Sequence, residues 1–215
     1  MQPSQEPDAP VEAIAAVVTR RGTPAGTAHP TEARPLGLVS QCPLIEATLD
    51  PHRVVLGPLY EGIRNHAFRM LNFARLLAPD TEGDRDQRLA VVAAFHDLPV
   101  VLDGDLNYLT RAADLAEGHL HACGHPEWSE QVRLMICNHH KIRPYQGPHA
   151  AMVEAVRRAD WVDASGGVLT AGLPRAFRRQ VDAAFPLRPL YRPALTLVGR
   201  YAVRHPCRPL PMLRW

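Results

Sequence analysis

Beyond residue 58, apolar residues recur at intervals of three and four. No stretch of the chain alternates apolar and polar positions over the length of a strand. Leu59, Ile63, His66, Met70, Ala74 and Leu77 form one stripe, which predicts a helix over 59–78 ended by Pro79. Leu89, Val92 and Ala93 mark a second helix over 84–97, and the next position on their stripe is His96. Residues 98–108, with Asp103, Asp105 and Asn107, read as a loop. A third helix is expected from Thr110 to Cys123, with Gly124 placed to terminate it. Pro126 suits the first turn of a fourth, whose stripe is Trp128, Val132, Met135 and His139. Pro148 opens a fifth, with His149, Val153, Val156, Asp160 and Asp163 on one side. Leu173–Phe185 and Pro193–His205 read as two more. The expected fold class is therefore all-α, a single helical bundle.

The N-terminal part has a different texture. Residues 1–40 contain RGTPAGTAHPTEARP, which is turn and loop composition, and read as a weakly ordered leader. Residues 41–215 then form one helical domain with its core in 55–185. Residues 41–58, with Pro43, Pro51 and Pro58, are expected to be irregular, so that the folded core starts near Pro58.

Composition narrows the function classes. The chain has 215 residues, 46% hydrophobic and 21% charged, as in an ordinary globular domain with a real core. A formal charge of +2 is too small to argue for a nucleic-acid polymer or a membrane surface as partner. No run approaches the ~20 apolar residues a membrane span needs. MQPSQEPDAP lacks the basic start and apolar stretch of a secretory signal. Cys42, Cys123, Cys137 and Cys207 form no C-x-x-C pair and read as reduced thiols of a cytoplasmic protein. Oligomeric state is left open, a homodimer included.

What changes the picture is polar chemistry at core positions. His66, His96 and Asp160 take interior positions on three different helices, and Asp97 adjoins His96. A carboxylate buried without compensation is costly, and the usual compensation is a metal, a cation or dense hydrogen bonding. Two imidazoles and two carboxylates make an N/O ligand set suited to a divalent ion such as manganese, iron, zinc, cobalt or nickel, one ion or two. Adjacent residues lie about 100° apart on a helix. His96 and Asp97 can therefore reach one ion only where the helix ends.

The ordered set H…HD…D, here His66 in IRNHAFRM, His96-Asp97 in AAFHDL and Asp160 in VRRADWVDAS, resembles the HD-domain superfamily of metal-dependent phosphohydrolases. The resemblance covers about 55–185. It implies an α-helical bundle and metal ligation by His66, His96, Asp97 and Asp160. Where many hydrolytic members follow HD with a small residue and then lysine or glutamate, this chain has Leu98-Pro99-Val100. Dinuclear members place further histidines between HD and the last aspartate, often as an HH pair. His139-His140 stands in that interval, followed by Lys141.

The expected function is hydrolysis of a phosphoester, a nucleotide among the possibilities, by a water that a divalent metal activates. Asp97 orients that water, and a histidine of the 139–140 pair protonates the leaving oxygen. His139 is expected to face the metal cavity. His140 and Lys141 meet a small anionic substrate at its rim, with Arg69 and Arg143 as further cations. His119 is expected to be a partly exposed helix histidine, and His29, His52, His121 and His205 to be structural or exposed. Two alternatives stay open. One is an HD-type hydratase of a small nitrile or a diiron oxygenase. The other is an inactive helical domain used for binding or regulation.

Overall fold

The computed structural model describes residues 37–80 and 83–214, and the leader expected over 1–40 lies almost wholly outside them. Among the described residues ten α-helices follow one another: α1 Pro43–Leu49, α2 Arg53–Leu56, α3 Tyr60–Leu77, α4 Arg85–Phe95, α5 Leu98–Asp103, α6 Leu109–Ala122, α7 Ser129–Asn138, α8 Ala150–Ala164, α9 Arg175–Ala184 and α10 Arg188–Arg204. Among the described residues there is no strand, only an isolated parallel bridge between Lys141 and Arg214. The fold is all-α. No helix among the described residues is long and apolar enough to cross a membrane.

α3 is the axis. It packs along α8 and also touches α1, α4, α9 and α10. Its sequence reads as amphipathic, yet every residue from Asn65 to Ala74 is buried. The polar residues off its apolar stripe are covered because each finds a partner. Asn72 accepts a bond from Val39 N at 2.8 Å and donates to Val39 O at 2.9 Å. Asn65 donates to Pro186 O at 3.0 Å. Arg69 pairs with Asp163 and donates to Phe185 O. Two connecting segments, around 39 and around 186, thus lie over what the sequence pattern marks as the wet face of α3. Satisfied hydrogen bonds make that burial affordable, since each buried polar group left unpaired costs ~1–3 kcal/mol.

Three stretches differ from the sequence reading. Residues 41–58 are helical turns, not an irregular run, and the packed core begins before Pro58. Pro43 sits in the first turn of α1, where a proline's missing N–H costs nothing, and Leu44, Ile45 and Leu49 are buried against α3 and α4. Residues 98–103 form α5 where a loop was expected. Pro99 occupies its first turn, Leu98 and Val100 are buried, and Gly104 closes it with φ of 67°, a left-handed conformation that glycine takes without penalty. The last long helix begins at Arg188, earlier than the expected Pro193, with a proline again in its first turn.

α1 gives the first test. Ile45 is fully buried. Ile45→Ala is expected to lower unfolding free energy by about 2–5 kcal/mol, measured by urea denaturation. A shift below about 0.5 kcal/mol, the level of a surface substitution, would return the start of the core to Pro58.

Candidate metal centre

Four helices and their ends bring the polar residues together. His66 comes from the middle of α3 and Asp160 from α8. His96 is the C-cap of α4 and Asp97 precedes α5. The chain turns between the two helices there, so neighbouring residues can face the same point. His139 is the C-cap of α7, and His140 follows in the turn. His66 Nε2 lies 2.9 Å from His96 Nε2, 3.3 Å from Asp97 Oδ2 and 3.6 Å from Asp160 Oδ1. His96 Nε2 lies 3.6 Å from Asp97 Oδ2. Two atoms that each sit ~2.1 Å from one ion are ~3.0–3.4 Å apart at right-angled to tetrahedral geometry. The separations around His66 Nε2 are those of a ligand shell.

Hydrogen-bond partners fix which nitrogens face inward. A carbonyl can only accept, so His96 Nδ1 donates to Val92 O at 3.1 Å and His139 Nδ1 to Ile136 O at 2.6 Å. His66 Nδ1 donates to Asp163 Oδ2 at 2.6 Å. In their neutral forms all three imidazoles therefore turn an Nε2 lone pair toward the cluster. A metal-binding histidine is held in just this way, its other nitrogen donating to a carbonyl or carboxylate.

A second set of donors adjoins the first. His139 Nε2 lies 3.5 Å from Asp97 Oδ1, and His140 Nδ1 lies 3.1 Å from Asp160 Oδ2. Each carboxylate therefore turns one oxygen to His66 and the other to the 139–140 pair. The ligand atoms form three groups among the described residues: His66, His96 and Asp160; His96, Asp97 and His139; His139, His140 and Asp160. These groups can hold a metal ion.

The electrostatics agree with a site built for positive charge. Burial opposes charging Asp97, yet the facing imidazoles of His96, His139 and His66 outweigh it and hold the carboxyl well below its ordinary range. The same balance, with His140 as the main partner, holds Asp160 down to about 2. Burial pushes His96 down to about 4. Burial also opposes charging His66, but Asp163 and Asp97 lift its pKa well above the ordinary value. A proton on His66 then separates the two facing Nε2 atoms. Asp160 Oδ2 has no well-aligned hydrogen bond, although His140 Nδ1 lies 3.1 Å away. A buried carboxylate oxygen so placed fits a cation.

The surroundings correct part of the sequence reading. Arg69 is buried and pairs with Asp163, so it steadies the group that orients His66. His140 is half-buried and joins His139 and Asp160 in one of the three groups. Lys141 is fixed through its backbone, with Asn138, Arg157 and Trp161 as hydrogen-bond partners. His119 is buried against the Phe95 ring and Cys123, outside the three groups.

Two participants escape a reading of the sequence. Asp163 sits one helical turn after Asp160, on the same face, and that spacing is a usable signal. Tyr108 leaves none. Its hydroxyl donates to Asp97 Oδ1 at 2.5 Å and lies 2.9 Å from His140 Nε2, which can donate back to the phenol oxygen. Burial raises its pKa well above the ordinary value, so it stays a donor.

Beside the cluster lies a cavity of about 260 Å³. His66, Asp97 and Tyr108 are its polar lining, and neither Arg69, His139, His140 nor Lys141 lines it.

No known protein family, no curated protein and no solved structure matches the chain.

His66→Ala and Asp97→Ala are each expected to remove most of the metal found by elemental analysis, with helical circular dichroism retained, because the aliphatic core does not depend on the ion. His119→Ala should keep the metal content of the parent; equal losses in all three would dissolve the site into general destabilisation. Because His66 is charged when no metal competes for it, metal uptake near pH 7 should release about one proton per ion. Calorimetry in two buffers of different ionisation enthalpy measures that number, and affinity should weaken as pH falls.

Proposed function

We propose that the chain is a metal-dependent phosphohydrolase of HD type, with His66, His96, Asp97 and Asp160 as metal ligands. The observation that carries this reading is the convergence of inward-facing imidazole nitrogens on the carboxylates of Asp97 and Asp160. The order of those residues along the chain, H…HD…D on a helical bundle, supports the same family. A divalent ion held there supplies Lewis acidity, which lowers the pKa of a water and polarises a phosphoryl oxygen.

The protein's own groups supply the rest. Asp97 reaches both halves of the cluster, so it can take the proton of the attacking water and hold that water toward phosphorus. As the water oxygen bonds to phosphorus, the ester P–O bond breaks and the leaving oxygen needs a proton. Tyr108 is the hydroxyl that lines the cavity, and His140 behind it can return the proton through its 2.9 Å contact. His139 backs Asp97 at 3.5 Å and stands one layer from the cavity. In this arrangement Tyr108 takes the role at the leaving group, and the 139–140 pair acts as ligands or as a proton relay.

A second reading keeps the metal and changes the reaction. The cavity lining contains no Lys or Arg among the described residues, and its walls are aliphatic. That lining suits a small uncharged substrate, as in hydration of a nitrile or oxidation by a diiron site. A purely regulatory domain is the weakest of the three readings, since a binding module gains nothing from a buried ligand set of this kind.

The deciding experiment is elemental analysis of purified protein, then a phosphatase and nucleotide panel with manganese, iron, zinc, cobalt and nickel. Metal-dependent phosphate release supports the first reading. Two irons with oxygen uptake and no phosphate release would replace it with the second. Tyr108→Phe is expected to lower kcat by about 10²-fold with metal content unchanged. A kcat within twofold of the parent removes Tyr108 from the leaving-group step.

A further inference from the structure

The cavity at the cluster has two unlike parts. Its floor carries His66, Asp97 and Tyr108, and its walls are Ile63, Val100, Val101, Leu106, Val198 and Met212. The walls offer nothing to hydrogen-bond. Charged side chains do stand nearby, but Arg200, Arg204 and Asp105 line a neighbouring cleft that shares only Gly104 and Leu197 with this cavity. A nucleoside placed against these walls would bury several base and sugar polar groups without partners, at ~1–3 kcal/mol each. A hydrocarbon group has no such cost and gains from burial.

Size sets a second limit. About 260 Å³ amounts to roughly eight or nine water-sized volumes, enough for a short alkyl chain or a single ring and too little for a long lipid tail.

We propose that this cavity selects substrates by a compact, uncharged hydrocarbon group, while the reacting phosphoryl group sits at His66, Asp97 and Tyr108. The substrate class is thus a phosphoester of a short aliphatic or monocyclic alcohol. The phosphoryl part rests on the function proposed above, and the hydrocarbon part rests on the walls alone.

The test uses the full chain loaded with Mn²⁺ and two series of unreactive probes, n-alkylphosphonates from methyl to octyl and neutral n-alkyl amides of the same lengths. Binding is measured by calorimetry. Phosphonate affinity should rise about fourfold per added methylene up to roughly six carbons, then level off as the cavity fills. Val198→Asp and Met212→Lys, checked for fold by circular dichroism, should flatten that rise. If the amides show the chain-length dependence and the phosphonates do not bind, the cavity inference stands and the phosphoester reading falls. Affinity independent of chain length in both series overturns the inference, whatever the activity panel gives. So does a nucleoside monophosphate that binds as tightly as hexylphosphonate.

Discussion

Two imidazole nitrogens 2.9 Å apart, with carboxylate oxygens on either side, are the constraint around which this bundle is arranged. Lone pairs at that distance repel unless something positive lies between them or beside them. The backbone has committed His96 and His139 to the inward orientation by taking their other nitrogens on carbonyls within their own helix ends. His66 is committed by Asp163, and Asp163 by Arg69. Rotating any one ring outward would forfeit a buried hydrogen bond. The interior is therefore set up in advance to receive positive charge, and the helices that supply the rings cannot shift independently of it.

The fold was legible because burial and periodicity coincide in most helices. Leu89, Val92, Ala93 and His96 share a stripe in the sequence and share the core in the structure. The ends of elements were less so. Residues 98–103 carry Pro99 and lead into acidic residues, a composition that favours a loop, yet burial of Leu98 and Val100 makes a short helix there. Likewise Pro43 reads as a breaker and acts as a helix opener, a distinction that depends on what lies next to it in space.

The candidate site shows the same division. His66, His96 and Asp160 stand out because polar residues on apolar stripes are conspicuous, and Asp97 stands out by adjoining His96. Arg69 misleads by its proximity to His66: one turn away on a helix can mean the same cavity or, as here, an adjoining face already claimed by Asp163. Tyr108 is invisible for the opposite reason. It precedes α6 beside a buried leucine, and an aromatic residue there looks like ordinary core. Only the turn that ends α5 at Gly104 brings its hydroxyl back to Asp97.

One side of the cavity wall has a different origin from its floor. Leu197 and Val198 belong to α10, and Met212 to the segment after it, which is pinned beside the histidine pair by the hydrogen bond from Ile142 N to Arg214 O. None of these residues touches the ligand set through a hydrogen bond or an ion pair. The buried imidazole–carboxylate cluster and this side of the wall are thus carried by separable stretches of one chain. Drift in the C-terminal third can reshape what is admitted, residue by residue, while the imidazoles and carboxylates stay in register. On the function proposed, a scaffold divided in this way is free to exchange one small molecule for another without rebuilding its chemistry.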